Sequence, residues 1–374
     1  MQLTRGLARE TTKLFRLSVV VALGLLAVLV VQQSRVSVTL QQRLETSSER
    51  LDSFARAMAR ARDEALTPAD LNELSRELRH RLGATTERVQ ALEHRSQAIR
   101  RVIAESISSV AFLQAAYGFR ERDSGRMLRH VVDPLGRPMM TPLGTPMLSL
   151  DGNGPVAERP FTGTGFVVGG KGALVTNRHV ALPWEGDANL EALSQQGLDP
   201  VMIKFIAYFP GKAEGFPVEL MRVSEDADLA VLRLSNGDKV SPGLKLADAP
   251  PAAGAEVVVM GYPTGLRSML AQAGEAFVEA LQKAENTDFW SVAARLAKAR
   301  QIAPLASRGI VGQITAATIV YDAETTHGGS GGPVLDVDGA VVAVNAAILP
   351  EYGGSNLGVP VAKMRALLAA AGFR

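Results

Sequence analysis

Apolar residues follow three rhythms along this chain. From Leu17 to Val31 (LSVVVALGLLAVLVV) they form one uncharged run. From Leu40 onward, Leu40, Leu44, Ser47, Leu51, Phe54 and Met58 recur at alternating spacings of three and four, separated by mostly charged or small residues. That spacing predicts a helix with one apolar seam. Thr67-Pro68-Ala69-Asp70 interrupts it with a proline suited to a helix start, after which Leu71, Leu74, Leu78, Leu82, Val89, Leu92, Ile99 and Ile103 resume the seam. After about residue 108 the texture changes to short β-rich runs (SVAFLQAAY, GTGFVV, GALVTN, VMIKFIAYF, DLAVLRL, AEVVVMGY, GIVGQITAATIVY, GAVVAVNAAI) punctuated by Gly, Pro, Asn and Asp. These predict all-β barrel structure. LADAPPAAGAE, Leu246 to Glu256, separates two groups of such runs and predicts a pair of barrels joined by a linker. The stretch from about Arg267 to Ser307, rich in Ala, Leu and Lys, carries no strand pattern, so a helical insertion projecting as a loop is expected there.

The expected organisation therefore has three parts. Residues 1–35 hold a basic tail and the apolar run, 36–107 a coiled-coil-like stalk, and 108–374 a β domain with its insertion at about 267–307. Arg5, Arg9, Lys13 and Arg16, opposed only by Glu10, precede the apolar run. The run is short for a span of about 20 residues, but Leu14, Phe15, Gln32 and Gln33 extend it, with Arg16 reaching back to the interface. It reads as a single-pass transmembrane anchor. A cleaved signal peptide is the competing reading, although QQSRVSVT offers no small-x-small cleavage site. The charge bias keeps the tail cytoplasmic and sends everything after Gln33 across the membrane. For the stalk two readings stand side by side: an oligomerising coil, which would make the chain a homo-oligomer, or an amphipathic helix packed on the next domain.

Composition narrows the chemistry. Over 374 residues, 47% hydrophobic content supports a packed core, while 40 Lys+Arg against 38 Asp+Glu leave a formal charge of +2. So small a charge gives no argument for nucleic acid as a partner. Cysteine is absent, which removes disulfides, thiolate metal sites and a cysteine nucleophile.

The strongest chemical signal is HGGSGGPV, His327 to Val334. Acyl transfer by serine requires the hydroxyl at the tip of a tight turn, with neighbouring backbone amides free to meet a developing oxyanion. Glycines on both sides of Ser330 permit that turn and allow the Gly328 and Ser330 amides to converge. The hydroxyl needs a base, and the chain has 5 histidines. His80 and His94 fall in the stalk, His130 in an Arg-rich segment, and His327 on the nucleophile's own turn, where it is better placed to shape the oxyanion loop. His179 remains, at the end of GTGFVVGGKGALVTNRHVA, a pair of short strands. The base in turn needs an acid to hold its tautomer. In SEDADLAVLRL, Asp228 opens an apolar strand, with Asp226 as the competitor.

VTNRHVA, DADLAVLRL and GGSGGPV, in that order, resemble the trypsin-like serine peptidases, particularly the cysteine-free HtrA/Deg type. The resemblance runs from about Ser108 to Arg374 and includes GTGFVV, GYPTG, RGIVGQI, YDAETTHGGSGGP, VVAVNAAI and LGVPV. It implies an all-β fold of paired six-stranded chymotrypsin-like barrels and an endopeptidase acting on protein or peptide substrates without metal or cofactor. With the anchor read from the apolar run, its catalytic domain would be extracytoplasmic, periplasmic if the chain is bacterial. His179, Asp228 and Ser330 would be its triad, Gly328 and Ser330 its oxyanion hole, and Asn345, Ala346 and Ala347 the lining of a primary pocket for modest apolar side chains. Three departures from the family stand out. A single helix, AKMRALLAAAGFR, occupies the place where HtrA members carry PDZ domains, so regulation by such a domain is not expected. Gly-Gly precedes the serine where the family usually has Gly-Asn. The helical insertion is a candidate cover or regulator of the cleft. The reading from a different class is a pseudopeptidase, whose barrels bind peptide or whose stalk organises a membrane complex without cleavage.

Overall fold

The computed structural model describes residues 53, 68–169, 171–235, 240–325, 328–349 and 355–373. The apolar run Leu17–Val31, the first half of the predicted stalk and His327 lie outside them. Among the described residues no helix is long and apolar enough to cross a membrane.

The chain divides into two compact units, Met1–Gln90 and Ala91–Arg374. Helix α1, Pro68–Ser106, starts at the proline that breaks the seam, where a missing N–H costs no hydrogen bond. In the first unit its Leu74 and Leu78 are half-buried and Leu82 is 64% exposed. In the second unit the end of the same helix is a packing element, with Val102 buried in a core cluster and Ile99 and Ile103 against it.

Two closed six-stranded barrels make up the rest of the second unit. The first is built from β1 (Val110–Glu121), β4 (Arg159–Val168), β5 (Ala173–Thr176), β6 (Leu198–Tyr208), β7 (Gly215–Val223) and β8 (Ala230–Leu234), in the order β1-β4-β5-β8-β7-β6. The second is built from β9 (Glu256–Gly261), β10 (Leu305–Ile314), β11 (Ile319–Tyr321), β12 (Pro333–Leu335), β13 (Val341–Leu349) and β14 (Ser355–Pro360), in the order β10-β11-β14-β13-β12-β9. The short strands β2 (Arg129–His130) and β3 (Leu148–Ser149) pair within an arm between β1 and β4, whose turns leave Leu135 76% and Leu143 91% exposed. The predicted linker is not slack. Just ahead of it Leu244 donates to Val167 of the first barrel at 2.8 Å, and within it Ala247 donates to Val341 at 3.0 Å and Gly254 to Val311 at 2.7 Å, both on strands of the second barrel.

Strand β1 shows how the core is divided. Residues 110–119 are buried throughout, which a strand tolerates only when both of its faces are covered. Ala111, Leu113 and Ala115 point into the first barrel's own cluster, while Val110 and Phe112 enter a larger cluster shared with Met260, Tyr262 and Leu335 of the second. This alternation, with a period of two, seats the barrels on one another.

The expected insertion holds the helices α3 (Leu266–Gln272), α4 (Glu275–Gln282) and α5 (Phe289–Lys298) and gives way to β10 at Leu305, and it does not project as a loop. Met269, Val292, Leu296 and Ile302 are buried in the cluster shared by the barrels, each stabilising by roughly 1.5–3 kcal/mol over exposure. Polar pins reinforce the seat. Gln114 Nε2 donates to the Phe289 carbonyl at 2.5 Å, Trp290 Nε1 donates to Glu158 at 3.0 Å, and Lys204 Nζ lies 4.5 Å from the centre of the Trp290 ring. The apolar spacing of α5 supplies a buried stripe, so a segment free in sequence terms has strong reason to dock.

Candidate active site

His179 is delivered by the end of β5. The strand stops at Thr176, and Asn177, fully buried, turns the chain into the short helix α2, Arg178–Ala181. Asn177 Nδ2 donates to the Asp228 carbonyl at 2.8 Å, tying the histidine's turn to the segment before β8. Arg178 fixes the outer side, forking onto Glu185 and donating to the Ser224 carbonyl at 2.6 Å.

Asp228 meets His179 twice. The backbone N–H of His179 donates to Asp228 Oδ1 at 3.0 Å, and Nδ1 of the ring lies 2.7 Å from Oδ2. Burial pushes the Asp228 carboxyl up, but the hydrogen bonds and charge of His179 outweigh it and hold the carboxyl below its ordinary range. A carboxylate that stays ionised can only accept, so Nδ1 carries the ring proton and Nε2 is left as the basic nitrogen. Asp226 is occupied elsewhere. It accepts from Ser224 at 2.8 Å and pairs with Lys363 at 3.2 Å, and the Ser224 bond followed by Lys363 lowers its pKa.

The serine turn is clamped by backbone and side chains alike. Gly328 and Gly331 have φ of +95° and +87°, the left-handed region that glycine enters freely. The Ser330 carbonyl accepts from the Thr164 N–H at 3.0 Å, Gly331 donates to the Asn345 carbonyl at 2.8 Å, and Asn345 donates to the Gly332 carbonyl at 2.9 Å. Thr164 does further duty, because its hydroxyl donates to the Gly328 carbonyl at 2.7 Å and accepts from the Tyr262 N–H at 3.0 Å. Its own carbonyl accepts from Thr176 at 2.7 Å. The serine turn and the end of β5 that carries His179 are thus bound to the same residue. A Cβ at Gly331 would run into the Thr164 carbonyl and the Thr176 hydroxyl. Gly331→Ala, combining that collision with a strained φ, should cost about 3 kcal/mol, read as a fall of several degrees in the thermal unfolding midpoint against wild type.

The predicted residues are not all joined directly. The Ser330 hydroxyl donates to the Ala346 carbonyl at 3.3 Å, and among the described residues no hydrogen bond links it to His179. Ala346 sits where β13 slips register between Asn345 and Ala347 against β14, a bulge that turns a carbonyl out of the ladder. Asn345, expected along the substrate pocket, has its side chain elsewhere. It is 2% exposed, and its Nδ2 donates to the Gly329 carbonyl at 2.9 Å. Thr164, Thr176 and Asn177 were not foreseen in the site. Their one signal is polarity at buried positions in or beside apolar strands, since a polar group there must find a partner.

Residues 163–344 match the family described as trypsin-like peptidase domain. The chain carries a trypsin-like peptidase domain. It is a serine endopeptidase of that class. Solved structures similar to the chain include the Rv3671c protease from M. tuberculosis in its active form, at 17% identity and TM-score 0.42, covering 73% of this chain and 85% of that one. The serine endoprotease from Yersinia pestis matches at 14% identity and TM-score 0.42, covering 73% and 65%. The HtrA-type protease AlgW with a decapeptide matches at 16% and 0.43, covering 72% and 66%. The peptidase match runs from Gly163 in β4 to Val344 in β13, taking in part of each barrel but neither β1 nor β14.

Proposed function

We propose that this peptidase cleaves protein substrates through an acyl-enzyme formed on Ser330. His179 Nε2 takes the Ser330 proton as the hydroxyl attacks the scissile carbonyl, then returns it to the leaving amine. Asp228 holds the imidazole and stabilises its charged form, and the Gly328 and Ser330 amides meet the oxyanion. The observation that carries this reading is the paired contact of Asp228 with His179, at 3.0 Å to the backbone and 2.7 Å to the ring, which selects the tautomer a general base requires. Attack requires the Ser330 hydroxyl to leave the Ala346 carbonyl and turn toward the base, since catalytic hydrogen bonds often form only once substrate is bound. The apolar run Leu17–Val31 behind its basic tail supports a membrane anchor with the catalytic unit on the extracytoplasmic side, and the part of the α1 seam ahead of Ile99, whose end packs on the peptidase core, supports an oligomerising stalk.

One labelling experiment tests both halves. A fluorophosphonate probe applied to membranes from cells expressing the full chain should modify Ser330, located by peptide mapping. The adduct should vanish in Ser330→Ala and move to the soluble fraction when residues 1–35 are removed. Wild-type protein that resists the probe would favour the pseudopeptidase reading. A labelled full-length chain in the soluble fraction would leave catalysis standing and overturn the anchor.

A further inference from the structure

We propose that Asn345 is a positioning residue that turns one of the two oxyanion donors toward the substrate. The inference rests on Ser330 being the nucleophile and identifies what aims its amide.

Two consecutive glycines, Gly328 and Gly329, precede Ser330. With no Cβ on either side, the peptide between Gly329 and Ser330 rotates at little steric cost. The family usually places an asparagine at the second position, so this chain has one constraint fewer. A planar trans peptide points its C=O and N–H in opposite directions. Whatever captures the Gly329 carbonyl therefore decides where the Ser330 N–H points.

Two donors capture it. Asn345 Nδ2 reaches it at 2.9 Å and the Gly332 N–H at 3.1 Å. The Gly332 bond lies within the turn itself and moves with it, whereas Asn345 belongs to β13 and supplies a reference outside the turn. The amide of Asn345 is itself oriented. Tyr321, 1% exposed at the end of β11, donates its hydroxyl to Oδ1 at 2.5 Å, which leaves Nδ2 facing Gly329. Burial raises the Tyr321 phenol far above its ordinary range, so it stays a donor at every working pH. Nδ2 also lies 3.4 Å from the Thr325 hydroxyl. The chain Tyr321, Asn345, Gly329 thus runs from the barrel interior to the peptide whose other face is the Ser330 N–H, directed away from the strand.

Asn345→Asp tests this with almost no change in volume. Assayed at alkaline pH, where the buried carboxyl is ionised, it keeps the size of the amide but can only accept, so it repels the Gly329 carbonyl and favours the flipped peptide. The expected result is a fall in kcat of about 10²-fold, the scale of losing one oxyanion donor, with KM within about threefold of wild type. Affinity for a peptidyl boronic acid, which presents an anionic oxygen to the same donors, should fall in parallel. Tyr321→Phe, which frees the amide to rotate, should move both in the same direction by about tenfold. All rates are taken per site titrated with the fluorophosphonate, so a variant that merely misfolds loses sites without losing kcat per site. Unchanged kcat per site and boronate affinity in Asn345→Asp would overturn the proposal, as would a raised KM at constant kcat, which would return Asn345 to the substrate pocket. If Asn345→Asp yields no folded protein, wild-type values in Tyr321→Phe are the overturning result. A wild-type enzyme that never labels defeats the assignment of Ser330 instead, so the two failures are distinct.

Discussion

Ser330→Ala and His179→Ala are each expected to lower kcat on the order of 10⁶-fold, and the double replacement is expected to lose no more than either alone. In the proposed mechanism they share one step. A serine hydroxyl at neutral pH is a poor nucleophile until a base removes its proton as the bond forms, and an imidazole without the hydroxyl has nothing to activate. Removing either partner leaves the same remainder, the oxyanion amides and substrate binding, which by themselves hold about 10³–10⁴ over water. The structure ties the two segments that carry them to one residue. Both residues hang on Thr164, whose N–H holds the Ser330 carbonyl at 3.0 Å and whose carbonyl holds Thr176, three residues before His179, at 2.7 Å. Single-turnover hydrolysis of a fluorogenic peptide by the singles and the double gives the answer. Losses that add in free energy would mean that the two act in separate steps.

What could be read from the sequence follows from where the chemistry is local. GGSGGP advertises Ser330 because the turn needs its glycines within a few residues, and His179 survives elimination because the histidines number 5. Asp228 and Asp226 could not be separated by chemistry, only by position. The structure separates them through partners distant in sequence, His179 for one and Lys363 for the other. The barrels were legible from short β-rich runs punctuated by Gly, Pro, Asn and Asp. Their closure and order depend on pairings across long separations, such as β1 with β6, which no local pattern encodes. The insertion was legible as helix but not as core, because its buried stripe acquires meaning only once the apolar outer face of β1 is known. Asn345 was placed by family likeness on the substrate side. Its side-chain partners are Tyr321 on a neighbouring strand and Gly329 on the serine turn, and the strand slips register directly after it. Buried polar residues are the signal such a reading passes over, since each implies a partner without naming it.

Asp228→Asn should leave the fold intact at neutral pH and lower kcat on the order of 10⁴-fold. The substitution keeps the size of the side chain, but a carboxamide presents one acceptor and one donor where the carboxylate presents two acceptors. The His179 N–H and the ring Nδ1–H both require acceptors, at 3.0 Å and 2.7 Å. The amide satisfies the backbone and turns its NH₂ to the ring, so Nδ1 must become the acceptor and the proton moves to Nε2. The nitrogen that should take the serine proton then already holds one. KM should change little, because nothing in this contact touches substrate. Stability provides an independent check through its sign. The folded-state pKa of Asp228 is depressed relative to the unfolded chain, so its contribution is present above the ordinary carboxylate range and is lost as pH falls through the folded value. Denaturant unfolding of wild type should therefore weaken progressively below about pH 4, and Asp228→Asn, with no proton to gain, should follow a shallower acid limb. Parallel limbs would mean that the carboxylate's bonds to His179 are no stronger than its bonds to water, and a kcat within tenfold of wild type would remove Asp228 from the triad altogether.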